Sequence, residues 1–246
     1  MIMRWVPLES NPDVLNKFIR ELGVKEPLRL EDVYGTDPEM QALVPGPVLS
    51  LLLLYPLNEE TETNPIGTLS PEEKCFFMKQ TIHNACGTVA IIHALANNTD
   101  AFDIKCMPFF LSLNFILRFT HLNLACFLAV PWLCQFLEKT SECSPKHRGQ
   151  ALENEEELSE IHEIYAQEGQ TEAPDSESRI DLHFIAFINA NGHLIELDGR
   201  KDGPILHGDT SNATFLADAC KVIDKFMARD PTNLNFSLMA LTNAPI

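Results

Sequence analysis

The feature that most constrains this chain is a β-hairpin predicted over Asp181–Asp198. Two apolar runs, LHFIAFI and HLIELD, lie on either side of the pair Asn191-Gly192. Asn-Gly is a preferred pair for a two-residue turn, because both turn positions need a positive φ. With this turn Ala190 faces His193, and the register of the two strands follows from the turn.

This register brings a histidine and a carboxylate together. His183 and Ile185 share one face of the first strand, because side chains repeat every two residues. Asp198 faces Ile185 and is therefore a diagonal neighbour of His183, within reach of its ring. A carboxylate behind an imidazole can orient a catalytic base. Taken alone, the pair is more often a satisfied histidine at the end of a half-exposed strand.

Cys86 begins a predicted helix that runs to Asn97. The helix sequence CGTVAIIHALAN is apolar nearly all round, so we expect it to be buried. Unpaired amides at a helix N-terminus stabilise a thiolate and lower the pKa of a cysteine. Small neighbouring residues would also let a substrate backbone approach. These features make Cys86 a candidate nucleophile, although a buried structural cysteine is the commoner case.

Gln80 lies six positions before Cys86. Its side-chain amide can donate to an oxyanion, with the Cys86 backbone N–H as a second donor. A surface or capping glutamine is the simpler interpretation of Gln80 alone. Phosphatase chemistry is excluded, because it needs an arginine shortly after the thiol and GTVAIIHALA contains none. Weaker candidates for the base are His83, His93 and His193.

The remaining pattern predicts one α/β domain over residues 1–246, a length that can bury a sizeable core. The run VLSLLLLY is continuously apolar and indicates a strand buried on both faces. Residues 58–74 and 141–179 are polar and rich in turn formers, so we predict loops there. The other predicted elements are helices at Pro12–Leu22, Asp37-Pro38 and Ser211–Met227, and strands at Leu28–Tyr34, Pro47–Tyr55 and Asn235–Leu241.

Charge and cysteine content limit the function classes. The net charge of -17 argues against nucleic acid, whose phosphates require a basic face. It favours a basic partner, or it serves solubility alone. The seven cysteines are odd in number and show no C-x-x-C spacing. Since the N-terminus lacks a secretory pattern, we predict free thiols in a reducing compartment, the cytoplasm with the nucleus as a further location.

Two long strings carry a resemblance to a known family. FFMKQTIHNACGT at Phe76–Thr88 and DLHFIAFINANGHLIELDGR at Asp181–Arg200 closely resemble the ubiquitin carboxyl-terminal hydrolases of the small, single-domain type. The shorter strings RWVPLESNP, DVYGTDPE, EGQTEAP and FMARDP also resemble that family, so the resemblance covers most of the chain.

The resemblance implies a fold and a chemistry. The fold would be papain-like, α/β (α+β), with a central antiparallel sheet flanked by helices and a crossover loop at about 140–174. Cys86 would be the nucleophile, His183 the base and proton donor, Asp198 its orienting partner and Gln80 the oxyanion donor. The partner would be ubiquitin or a ubiquitin-like protein. The enzyme would be a monomer that needs no metal and no organic cofactor.

One segment departs from the family pattern. Residues 101–132 form a long and strongly apolar insertion. Met107–Leu133 is long enough to span a membrane, but Arg118 lies near its middle. A single span would also place Cys86 and His183 on opposite sides, so we consider membrane insertion unfavourable. The segment is an extra element packed on the core, an exposed patch for a partner or membrane surface, or no part of the working protein.

Three functions therefore compete at this point. The first is a thiol hydrolase that removes groups from the C-terminus of ubiquitin. The second is a non-catalytic ubiquitin-binding module of the same fold, against which the intact set of four residues counts. The third is a membrane-associated hydrolase that is anchored by the apolar insertion.

Overall fold

The computed structural model describes residues 4–63, 65–101, 130–170 and 181–245. Its α-helices are α1 (Pro12–Glu21), α2 (Pro38–Gln41), α3 (Glu59–Thr63), α4 (Cys86–Ala96), α5 (Trp132–Thr140), α6 (Pro145–Glu153), α7 (Glu156–Ala166) and α8 (Phe215–Ala228). Its strands are β1 (Arg29–Asp32), β2 (Val48–Pro56), β3 (Thr68–Leu69), β4 (Leu182–Ala190), β5 (His193–Leu197), β6 (Ile205–Asp209) and β7 (Ser237–Thr242). A 3-10 turn, Thr99–Ala101, follows α4.

The strands form one sheet in the order β1-β7-β2-β4-β5-β6-β3, and every neighbouring pair is antiparallel. Helix α4 packs on β4 and β2, and α8 packs on β2, β4 and β5. Most of the buried residues of α4 belong to one hydrophobic core, and most of those of α8 belong to a second. The predicted α/β class, a central antiparallel sheet flanked by helices, is therefore confirmed.

Strand β2 shows why helices must pack on both faces of the sheet. Leu52 belongs to the core beneath α4, whereas Leu51 and Leu53 belong to the core beneath α8. All three side chains are almost fully buried. Alternate residues of a strand point to opposite faces, so a continuous apolar run requires a helix layer on each side.

The hairpin has the predicted register. Ala190 pairs with His193, and Ala186 pairs with Leu197. The turn residues Asn191 and Gly192 have φ values of 53° and 91°. The Asn-Gly pair thus supplies the two positive φ angles that a tight turn requires, and the predicted hairpin is confirmed.

The polar region 141–179 was predicted as a loop, and this prediction is wrong for much of its length. Ser144 caps α6, and Pro145 occupies the first turn of that helix. In α7 the buried residues Leu158, His162 and Ala166 recur at every fourth position. The dense acidic residues between them obscured this helical spacing. The crossover loop at about 140–174 stays a prediction, since its residues 145–166 are largely helical and 171–174 lie outside the described residues.

A smaller difference occurs in one other place. Residues 58–74, also predicted as a loop, include the short helix α3 and the two-residue strand β3, which pairs with β6.

The apolar insertion 101–132 lies outside the described residues between 102 and 129. Where the chain resumes, Pro131 packs so closely on Gly23 that a Cβ at Gly23 would lie 2.3 Å from it. Within the described ranges, no helix has the length and apolar character needed to cross a membrane.

We expect Leu53→Ala to lower the free energy of unfolding by about 2–5 kcal/mol, because it leaves a cavity at the centre of the sheet. Leu69→Ala is the matched control on the edge strand β3, where the leucine is 49% exposed. That variant should stay within about 0.5 kcal/mol of the wild type. Guanidinium denaturation measures both values, and equal losses would contradict the assignment of β2 to the core.

Candidate active site

Three polar side chains meet where α4 begins beside the β4–β5 hairpin. Cys86 is the first residue of α4, His183 is the second residue of β4, and Asp198 directly follows β5. All three are buried, with exposed fractions of 9%, 3% and 1%. Cys86 belongs to the core beneath α4, whereas Ile185, on the same strand face as His183, belongs to the core beneath α8. The site therefore lies where the two cores adjoin.

The predicted contact between the histidine and the carboxylate is present. His183 Nε2 lies 2.6 Å from Asp198 Oδ1. The backbone N–H of Arg200 donates to the same oxygen at 2.9 Å. Burial of the pair excludes water, so the interaction is stronger than a similar pair at the surface.

Cys86 completes the chain of contacts, because the His183 side chain is hydrogen-bonded to it. Since Nε2 faces Asp198, Nδ1 is the ring nitrogen that remains for the sulfur. Burial raises the pKa of Cys86, but the hydrogen bond and charge of His183, with the amides of Phe184 and Gly87, outweigh burial. The net pKa of Cys86 lies below its ordinary value. The helix N-terminus thus contributes an amide to the thiolate, as the sequence suggested.

The same contacts shift the pKa values of His183 and Asp198. Burial lowers the pKa of His183, but Asp198 and then Cys86 raise it to a net value of about 9. Burial raises the pKa of Asp198, but the charge and hydrogen bond of His183 and the Arg200 amide bring it below its ordinary value. The favoured state is a thiolate beside an imidazolium, with a carboxylate behind it.

Gln80 lies next to this triad and is held by its neighbours. Its backbone N–H donates to the Gly199 carbonyl at 2.9 Å, and its side-chain Nε2 donates to the Ile82 carbonyl at 3.1 Å. A Cβ at Gly199 would lie 2.9 Å from Gln80 Cβ and 3.0 Å from Val89 of α4, so only glycine permits this approach. One N–H of the Gln80 amide remains for an oxyanion. Its Oε1 is buried and has no partner among the described residues.

Two of the three weaker candidates for the base have other partners. His93 is fully buried, and its Nε2 accepts from the Met78 N–H at 3.1 Å. Burial lowers the pKa of His93 to about 4, so this ring is neutral. His193 is half-exposed and pairs with Glu73. His83 is exposed at the start of the chain segment that leads to Cys86.

The sequence did not indicate several residues near the site. Tyr55 of β2 pairs with His183 of β4 in the sheet. Its ring lies edge-on to the imidazole, with 6.0 Å between the ring centroids. Asn84 has a φ of 62°, a backbone conformation that asparagine tolerates better than most residues. Neither residue carries a signal in a single sequence, because strand pairing and backbone angles become visible only in the fold.

His162 of α7 is a further buried residue that the sequence did not indicate. Its Nε2 donates to the Val6 carbonyl at 2.6 Å, and its Nδ1 accepts from the hydroxyl of Thr88 at 2.8 Å. Burial lowers the pKa of His162 to about 4, which keeps the ring neutral and supports this assignment of donor and acceptor. Thr88 lies two residues after Cys86, so α7 directly braces the active-site helix.

The cysteines were predicted to be free, and the structure agrees at four positions. Cys75, Cys86, Cys143 and Cys220 are free. Cys134 is disulfide-bonded and is the exception. Cys106 and Cys126 lie outside the described residues. In the part of the chain that the structure describes, no group of three or more His, Cys, Asp or Glu side chains is arranged to hold a metal ion.

Comparisons with known proteins identify the family of this chain. The model of the family "Ubiquitin carboxyl-terminal hydrolase, family 1" matches residues 5–228. A ubiquitin carboxyl-terminal hydrolase from Aplysia californica is 44% identical over 93% of this chain and 97% of its own length. One from Drosophila melanogaster is 42% identical over 99% of both chains. Human isozyme L1 is 39% identical over 98% of this chain and all of its own length.

The fold is also similar to that of a solved structure. The catalytic domain of Trichinella spiralis UCH37, crystallised with ubiquitin vinyl methyl ester, superposes with a TM-score of 0.71. The match covers 97% of this chain and 95% of the other, at 22% sequence identity. This similarity concerns the fold alone.

The electrostatics predict selective alkylation. At neutral pH we expect iodoacetamide to modify Cys86 before Cys75 or Cys220, because burial raises the pKa of each of the latter two to about 12. Removing the imidazole with His183→Ala should slow modification of Cys86 about tenfold. His193→Ala is the control and should have no effect. Peptide mass spectrometry measures each rate, and an unchanged rate in His183→Ala would refute the thiolate–imidazolium pair.

Proposed function

The chain belongs to family 1 of the ubiquitin carboxyl-terminal hydrolases, and we propose that it cleaves small adducts or peptides from the C-terminal glycine of ubiquitin, or of a ubiquitin-like protein. The observation that carries this proposal is the buried chain of contacts from Cys86 through His183 to Asp198. The acyl group would be held as a thioester on Cys86.

The first half of the reaction follows from the charge state of the site. The Cys86 thiolate attacks the glycine carbonyl, and the carbonyl oxygen becomes an oxyanion. The free N–H of the Gln80 amide and the Cys86 backbone N–H donate to that oxyanion. The His183 imidazolium then gives its proton to the leaving amine as the carbon–nitrogen bond breaks, which leaves a thioester and a neutral imidazole.

The second half reverses the proton transfer. The neutral imidazole of His183 takes a proton from water while the oxygen of that water attacks the thioester carbonyl. Collapse of the second oxyanion breaks the carbon–sulfur bond and restores the thiolate beside an imidazolium. Asp198 holds the ring in one orientation throughout, since its Oδ1 is bound both by Nε2 and by the Arg200 amide.

Three observations support ubiquitin as the partner. The relatives that cover nearly the whole chain are named ubiquitin carboxyl-terminal hydrolases, and the similar fold from Trichinella spiralis was crystallised with a ubiquitin derivative. The net charge of -17 also suits a partner whose C-terminal tail is basic, because opposite charges accelerate encounter. A non-catalytic binding module would not need the thiolate–imidazolium pair.

Release of a fluorophore from the C-terminus of ubiquitin tests the proposal. Cys86→Ala should abolish turnover, a loss of at least about a thousandfold, because no other group can form the thioester. Gln80→Ala should lower kcat about a hundredfold through loss of an oxyanion donor. Cys143→Ala is the control, since Cys143 is a free thiol of intermediate burial, and it should be fully active. An inactive wild type, or activity in Cys86→Ala, would refute the proposal.

The pH dependence of kcat/KM provides an independent prediction. His183 has a folded-state pKa of about 9, above its usual value, so the imidazolium persists at neutral pH and is lost as pH rises through about 9. Activity should therefore decline on the alkaline side near that pH. Asp198→Asn removes the charge that raises the pKa and should move the decline to lower pH. An alkaline limb that is identical in both proteins would contradict the role of Asp198.

Oligomeric state and location remain predictions. We infer a monomer that acts in the cytoplasm, with the nucleus as a further location, as the family resemblance suggests. Gel filtration and cell fractionation test these two inferences. Neither result bears on the chemistry of Cys86.

A further inference from the structure

Lys79 is a charged residue beside the catalytic set, and no catalytic step uses it. Its ammonium donates to the carbonyl of Arg200 at 3.1 Å, to the carbonyl of Lys201 at 2.6 Å and to Asp202 Oδ1 at 3.2 Å. A lysine ammonium has three N–H donors, and this arrangement uses all three. The residues that it contacts belong to the turn that directly follows Asp198.

That turn determines where the Asp198 carboxylate points. The Lys201 N–H donates to the Asp198 carbonyl at 3.0 Å, which closes a four-residue turn. The Arg200 N–H donates to Asp198 Oδ1, the same oxygen that contacts His183. The peptide groups that hold the carboxylate are therefore joined to the carbonyls that Lys79 binds. A shift of the turn would move the acceptor of His183.

Lys79 is itself fixed from the opposite side. Its backbone N–H donates to the Pro145 carbonyl at 3.0 Å. Its own carbonyl lies against Gly149 of α6, where a Cβ would come within 2.2 Å of it. Only glycine permits this contact, so α6 holds the backbone of Lys79 in place. The next residue, Gln80, donates its N–H to the Gly199 carbonyl at 2.9 Å and ties the same two segments together.

The contact differs from an ordinary surface ion pair. The Asp202 side chain is 91% exposed, whereas that of Lys79 is only 25% exposed. An exposed ion pair contributes little, because solvent screens it. The two backbone carbonyls are thus the important partners, and they would lack this donor if the ammonium were removed.

We propose that Lys79 is a positioning residue that clamps the turn after Asp198, so that the carboxylate holds His183 in its reactive orientation. The inference rests on the proposed hydrolase function for its kinetic consequences. It also makes a structural claim that can be measured without turnover. In the described part of the chain, the groups that contact or act on the His183 ring include Asp198, Cys86 and the edge-on ring of Tyr55. Lys79 acts on the first of these.

The test compares Lys79→Met, which keeps the length of the side chain, with Lys79→Arg, which keeps its charge and donors. An NMR titration of the histidine ring signals gives the pKa of His183, which is assigned by the signal lost in His183→Gln. Lys79→Met should lower that pKa from about 9 towards its usual value. Release of the fluorophore from ubiquitin should show kcat reduced about tenfold with KM within about twofold of the wild type. Lys79→Arg should recover most of both losses.

Asp202→Asn is the matched control, because it removes only the exposed ionic contact and should match the wild type in both measurements. Thermal melting verifies that each variant is folded, and Lys79→Gln replaces Lys79→Met if the latter melts too early to titrate. An unchanged His183 pKa in the variant without the ammonium, or an equal loss in Lys79→Arg, would overturn the proposal. An inactive wild type would refute the hydrolase function instead, while the titration would still decide the role of Lys79.

Discussion

The site depends on one buried hydrogen bond, the 2.6 Å contact between His183 Nε2 and Asp198 Oδ1. In water such a pair is weak, because each partner is well solvated and the charges are screened. Here both side chains are almost fully buried, and the Arg200 amide satisfies the carboxylate further. The pair therefore keeps the imidazole protonated at neutral pH, which in turn stabilises the thiolate of Cys86 in a place where burial alone would protonate it.

A buried ion pair of this kind requires rigid support, since a small displacement would leave charges without partners. The segment before Cys86 provides much of that support. Met78 is bound by His93 of α4, Lys79 binds the turn after Asp198, and Gln80 lies against Gly199. Three successive residues thus join the active-site helix and the hairpin. Met78 provides the link to α4, whereas Lys79 and Gln80 both bind the turn that follows Asp198, so the position of the oxyanion donor and that of the carboxylate are set together.

The hairpin half of the site could be predicted from the sequence because the information is local. The Asn191-Gly192 turn determines the register, and the register determines that Asp198 lies behind His183. The sequence made Cys86 a candidate nucleophile but did not show that it contacts the hairpin, because the two segments lie far apart along the chain. Family resemblance, rather than local pattern, brought these segments together. Lys79 was missed because its three acceptors lie more than a hundred residues away, and two of them are backbone carbonyls that no side-chain pattern reveals.

The two helices in the polar region were missed for another physical reason, and they change how the region should be understood. Acidic residues cover the exposed face of α7, whereas Leu158, His162 and Ala166 form its buried face. His162 binds the carbonyl of Val6 and the hydroxyl of Thr88, and it does so as a neutral ring. A charged ring at this position would have to donate from both nitrogens, and a neutral one can accept from Thr88. The segment thus contributes to the rigidity of the active-site helix, in addition to any role in admitting a substrate chain.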